Sequence, residues 1–171
     1  MSLRTGTRRW IQALSFALLA PVLSSAAAQG AKSTCMSLLT ADEIAKAVGE
    51  PFKDLGSETG RSGATSCDWA ARLGTPAAKT VSFTFYDNVA LKVSPAYASP
   101  DAYFESIVSS VEGKSPTKRE SIPGVGVKAA LVATGPQLLV AVQRADGVGR
   151  VVGNNLTKAQ ATALAHAIAA P

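Results

Sequence analysis

The sequence predicts a single α+β domain with an antiparallel sheet of about five strands, in the order α-β-β-α-β-β-β-α. Three observations support this: two capping boxes that mark helix starts, one cleanly alternating apolar and polar segment, and turn signals between later apolar runs. Helices that accompany such a sheet are expected mainly on one face. The alternative is a more open sheet with the middle helix on the opposite face.

Residues 1–28 have the pattern of a signal peptide. Arg4, Arg8 and Arg9 precede an apolar stretch, WIQALSFALLAPVL, that is too short to span a membrane, and SSAAAQG offers a cleavage site after Ala28. We therefore expect a periplasmic or secreted protein whose residues 29–171 form one domain. No cysteine suited to lipid attachment follows the apolar stretch, so no stable membrane insertion is expected after cleavage.

The charge of the chain argues against nucleic-acid binding. The full chain has 17 Lys and Arg against 12 Asp and Glu, but three of the arginines lie in the signal segment. Without them the balance is 14 against 12, and no basic run is longer than Lys118-Arg119. Nucleic-acid binding calls for a clustered basic face, which this pattern does not supply.

Cys35 and Cys67 are the only cysteines and could form a disulfide, a metal site or a catalytic thiol. In an exported protein, two lone cysteines favour a disulfide. A zinc site needs three or four ligands, and the single histidine, His166, is far away in the last predicted helix. A thiol nucleophile would need a histidine partner, which neither cysteine has nearby in sequence. We expect a disulfide with a structural role, and no metal or cofactor.

The first predicted helix lies between the cysteines. Thr40 and Glu43 form a capping box, and Gly49 followed by Pro51 ends the helix. The glycine-rich stretch GSETGRSGATS that follows is expected to be a flexible loop, because it lacks the G-K-[ST] of a phosphate-binding loop. SCDWAARL and TVSFTFY are the first two predicted strands.

The second half begins with a helix at SPDAYFESIVSSV, where Ser99 is the expected N-cap and Pro100 the first helical residue. Three strands follow, VKAALVAT, QLLVAVQR and GRVVGN. A capping box at Thr157 and Gln160 starts the last helix, in which His166 is expected to be exposed. One core is expected to bury seven residues together: Val81, Phe83, Phe85, Leu139, Ala141, Leu164 and Ile168.

CMSLLTADEIAKAVGEP, SCDW and IPGVGVKAAL together resemble a group of small exported bacterial proteins of unknown function, related in pattern to domain-of-unknown-function lipoproteins. The resemblance spans nearly the whole chain after residue 28, although each motif is short. It implies a Cys35–Cys67 disulfide and an envelope location, and it transfers no catalytic residue. The chain departs from the pattern in lacking a lipid-attachment cysteine and in having Val127 where the group often has Asp.

Three classes of function remain. The first is a non-catalytic binding or interaction module of the cell envelope, with an unknown protein or small molecule as partner. The second is a secreted inhibitor or accessory subunit of an envelope enzyme, which would use an exposed sheet edge or loop. The third is a hydrolase whose site involves residues such as Asp68, Tyr86 or Arg144, although no nucleophile–base motif is visible. We predict the first class, with no catalytic residues.

Overall fold

The computed structural model describes residues 34–60, 63–93, 99–114 and 117–170. The predicted signal peptide, residues 1–28, lies outside the described residues. Twelve elements follow one another in this part of the chain: α1 Thr34–Leu38, α2 Ala41–Val48, β1 Lys53–Thr59, β2 Thr65–Ala71, β3 Lys79–Asp87, α3 Asn88–Val93, α4 Pro100–Glu112, β4 Glu120–Ser121, β5 Lys128–Thr134, β6 Gln137–Gln143, β7 Gly147–Asn154 and α5 Lys158–Ala169.

The strands form one antiparallel sheet with the spatial order β1-β2-β3-β7-β6-β5-β4. The predicted α+β class is therefore correct, whereas the predicted count of five strands and the predicted element order are wrong. The described part of the chain has seven strands, and two of them, β1 and β4, were not predicted. Two short helices, α1 and α3, were not predicted either.

Helices cover both faces of the sheet, so the expectation of one covered face is wrong and the open-sheet alternative is correct. One core lies between the sheet and α1, α2 and α5. The other lies between the sheet and α3 and α4. Val81, Phe83, Phe85, Leu164 and Ile168 share the first core as predicted.

Leu139 and Ala141 are buried, but they belong to the second core, on the opposite face from Phe83. The strand β6 alternates between the two cores, because Val140 and Val142 lie in the first. A strand covered on both faces buries every side chain, so its apolar run does not reveal which residues share a core.

A disulfide joins Cys35 of α1 to Cys67 of β2, with the two Cα atoms 6.0 Å apart. Both cysteines are fully buried, and Trp69 lies in the same core with 1% of its surface exposed. The bond therefore attaches the first described helix directly to the sheet.

The local signals at the helix ends are confirmed. Both capping boxes form, at Thr40 with Glu43 and at Thr157 with Gln160. Ser99 caps α4 by accepting a hydrogen bond from the Ala102 N–H. These side chains satisfy backbone N–H groups that the first turn of a helix leaves unpaired.

The strand β7 carries glycines on the face that packs against α5. A Cβ atom built on Gly149 would lie only 2.8 Å from Cε2 of Phe83 and 3.4 Å from Cγ2 of Ile168. The missing side chain leaves the space in which the Phe83 ring packs, beside α5.

Candidate functional site: a groove between α2 and α5

A surface groove of about 430 Å³ lies between α2 and α5. Ligand-binding clefts typically have volumes of roughly 300–1,000 Å³, with mainly apolar walls and a few polar groups that orient the ligand. The groove fits this description, because four alanines and three ionisable side chains line it: Ala47, Ala163, Ala167, Ala170, Glu43, Lys46 and His166.

The periodicity of the two helices places these side chains on the outer surface. In α2, Ile44 and Val48 point into the core, which leaves Lys46 and Ala47 toward the outside. In α5, the core positions are Ala161, Leu164, Ala165 and Ile168, and the residues between them face outward. The Gln160 side chain donates a hydrogen bond to the Val48 carbonyl at 2.7 Å, which fixes the last turn of α2 against the first turn of α5.

The three ionisable side chains of the groove differ in the hydrogen bonds that they already make within the protein. Oε2 of Glu43 accepts hydrogen bonds from N and Oγ1 of Thr40, at 2.7 and 2.8 Å. The side chains of Lys46 and His166 are exposed and make no hydrogen bond or ion pair with any residue that the structure describes. The polar groups of the groove without a described partner are therefore the Lys46 ammonium, the His166 imidazole and Oε1 of Glu43.

The sequence pointed to His166 as an exposed histidine, which is confirmed, but not to the groove around it. The available signal was the recurrence of alanines at helical spacing on the outer side of α5, at Ala163, Ala167 and Ala170. This signal is weak, because alanine is also the residue that most favours helix formation.

The residues considered for a hydrolase do not come together. Asp68 is exposed on β2 opposite Ser82, whereas Tyr86 lies four residues further along β3 and packs against Tyr103, with ring centroids 4.6 Å apart and ring planes tilted by 59°. Strand geometry separates Asp68 from Tyr86 by about 14 Å between backbone positions. Arg144 pairs with Asp146, and it also donates hydrogen bonds to carbonyls at the end of α5. Arg144 therefore caps the C-terminal end of α5.

A cluster of charges ties Arg119, just before β4, and Lys128, the first residue of β5, to α4. Arg119 binds Glu105 at 2.6 Å and Glu112 at 3.0 Å, and Lys128 lies 2.5 Å from Asp101 and 2.9 Å from Glu105. The hydrogen bonds from Arg119 and then from Lys128 hold the pKa of Glu105 below its ordinary value of 4.5. Because each charge has a partner, this cluster is best explained as a structural clamp.

Among the described residues, no group of three or more His, Cys, Asp or Glu side chains is arranged to hold a metal ion. None of the helices in this part of the chain combines the length and the apolar character needed to cross a membrane.

Comparison with known proteins gives no guide to function. No protein-family model, curated protein or solved structure matches the chain.

Proposed function

We propose that this chain is an exported, disulfide-stapled binding module of the cell envelope whose ligand occupies the groove between α2 and α5. The observation that carries the proposal is the combination, in one cleft of about 430 Å³, of an alanine floor with an ammonium and an imidazole that have no described partner. Such a cleft suits a small ligand with an apolar body and an anionic group.

Two further observations support the exported location. The Cys35–Cys67 bond is typical of proteins that fold in an oxidising compartment. The first 28 residues have the basic, apolar and small-residue regions of a signal peptide. The resemblance to small exported bacterial proteins agrees with this location.

The groove can be tested with anilinonaphthalene sulfonate, a fluorescent probe that combines an apolar body with an anionic group. We expect saturable binding to the folded protein and shifts in the methyl resonances of Ala163 and Ala167. In an Ala167→Leu variant the added side chain fills the groove, so binding should weaken at least tenfold. Lys46→Gln should weaken binding by removing the positive charge.

Ala159→Leu provides the matched control. Ala159 is exposed on the same helix and does not line the groove, so this variant should bind like the wild type. Equal loss of binding in both leucine variants, or shifts confined to residues outside α2 and α5, would contradict the assignment. Melting curves of each variant separate a filled groove from a disturbed fold.

A second candidate function, an inhibitor or accessory subunit of an envelope enzyme, is favoured by the loop between β2 and β3. This loop exposes Leu73, with 57% of its surface accessible. Arg72 beside it binds Glu50 at 2.5 Å, and Oγ1 of Thr75 donates to the Arg72 carbonyl at 2.8 Å. An exposed apolar residue on a loop that such contacts hold in place is suited to docking in a partner's pocket, because the loop loses little conformational entropy on binding.

Immobilised protein should then retain a stoichiometric partner from envelope extract, and Leu73→Ser should release it. Lys114→Ser, an exposed substitution after α4, serves as the control. Retention of no partner by the wild type, or of the same partner by both variants, would argue against this second function.

A further inference from the structure

The strand β1 ends one side of the sheet. It pairs with β2 along one edge, and no strand among the described residues pairs with its other edge. All seven of its residues are exposed. An edge strand of this kind presents backbone donors and acceptors to which another extended chain can bind.

A β-bulge in β1 determines which side chains share a face. Asp54 lies opposite Trp69 and Gly56 opposite Asp68, so Leu55 is an extra residue in the strand. Lys53 and Glu58 are five positions apart and would lie on opposite faces of a regular strand. The extra residue brings them to the same face, since their partners on β2 are Ala70 and Ser66, four positions apart.

This arrangement makes β1 complementary to itself. If two copies align β1 antiparallel with Gly56 opposite Gly56, Lys53 of each copy lies opposite Glu58 of the other, on the same face. On the other face Asp54 lies opposite Ser57. Directly opposed unlike charges stabilise an antiparallel pair, and the two central glycines bring no side chains into conflict.

Other registers are less favourable. Asp54 and Glu58 lie on opposite faces of β1, so the neighbouring registers are shifted by two ladder positions. One of them brings Asp54 opposite Asp54, which places like charges face to face, and the other leaves Glu58 opposite Gly56 without a counter-charge. We propose that β1 is a self-association edge, which pairs antiparallel with β1 of a second copy of this chain in the register that joins Lys53 to Glu58.

Oδ1 of Asp54 accepts the Gly56 N–H at 2.7 Å, so the pair would form through the other backbone groups of β1. The bulge and the charged side chains protect this edge against strands that do not match it. One strand pair is also much smaller than a standard protein interface, so the dimer should be weak and dependent on concentration.

Charge exchange tests the register. Sedimentation velocity at low ionic strength should show the wild-type protein shifting toward dimer as concentration rises. Lys53→Glu and Glu58→Lys each place like charges opposite one another at both ends of the pair, so each single variant should remain monomeric. The double variant restores opposed unlike charges and should dimerise again.

Lys92→Glu is the control, because it changes net charge as Lys53→Glu does but lies on α3. It should dimerise like the wild type, and amide hydrogen exchange in β1 should slow with concentration in both. A wild-type protein that stays monomeric throughout the concentration series would overturn the proposal. A dimer that persists in both single variants would overturn it as well.

Discussion

Removal of the Cys35–Cys67 bond should destabilise the protein by a predictable amount. The bonded residues are 32 positions apart. Closing a loop of this length lowers the entropy of the unfolded chain by about 12 cal/mol/K, which corresponds to a stabilisation of about 4 kcal/mol at 25 °C. In a domain of this size each kcal/mol shifts Tm by about 3–4 °C, so the bond should raise Tm by roughly 10–15 °C.

The suitable variant replaces both cysteines with alanine. Both positions are fully buried, and serine hydroxyls there would add a desolvation penalty unrelated to the bond. Calorimetry of the wild type and the variant, without reductant, measures the difference in Tm. Wild-type protein unfolded and refolded in reductant should melt close to the variant.

A double-alanine variant that melts within about 3 °C of the wild type would contradict this prediction, because the closed loop would then contribute almost nothing. Free thiols that titrate in the native, non-reduced wild type would contradict it as well. Probe binding measured well below the lower Tm should be unchanged, since neither cysteine lines the groove between α2 and α5.

Two further predictions concern the packing of the core and the loss of stability at low pH. Phe83→Ala should reduce the free energy of unfolding by about 3–5 kcal/mol, because the ring is fully buried against Gly149; urea titration yielding less than about 1 kcal/mol would be inconsistent with that packing. Since the pKa of Glu105 is lowered in the folded state, its contribution to stability is present above pH 4.5 and declines as the pH falls through the lower folded value. Thermal melts of Glu105→Gln should therefore show a smaller loss of Tm on acidification than the wild type, and parallel profiles would contradict this.

Local signals in the sequence predicted local structure well. The capping boxes at Thr40 and Thr157 depend on side chains that act within one turn, so they can be recognised without knowledge of the fold. The alternation of β3 was equally informative, because one of its faces packs in the core and the other is only half-buried. The two lone cysteines similarly suggested their pairing.

The missed features depend on tertiary context. The strand β1 is exposed on both faces, so its residues, KDLGSET, carry no apolar alternation, and the glycine-rich pattern that begins at Gly56 predicts a loop instead. The continuous apolar runs of β5 and β6 were in fact a signal that both faces of the sheet are covered. The groove between α2 and α5 depends on two helices distant in sequence, and the helical spacing of its alanines does not distinguish a groove from an ordinary alanine-rich helix.

The order of strands in the sheet has a consequence for the folding of the chain as it is synthesised. The strands β1 to β3 are neighbours in sequence, as are β4 to β7, and the pairing of β3 with β7 joins the two groups. The disulfide joins α1, which precedes β1, to β2, so oxidation can form it before the last strand has been synthesised. Until β7 arrives, however, β3 keeps an unpaired edge and the Phe83 ring lacks its covering. A chain interrupted before residue 147 would therefore be covalently closed yet prone to aggregate, because correct assembly of the sheet depends on β7.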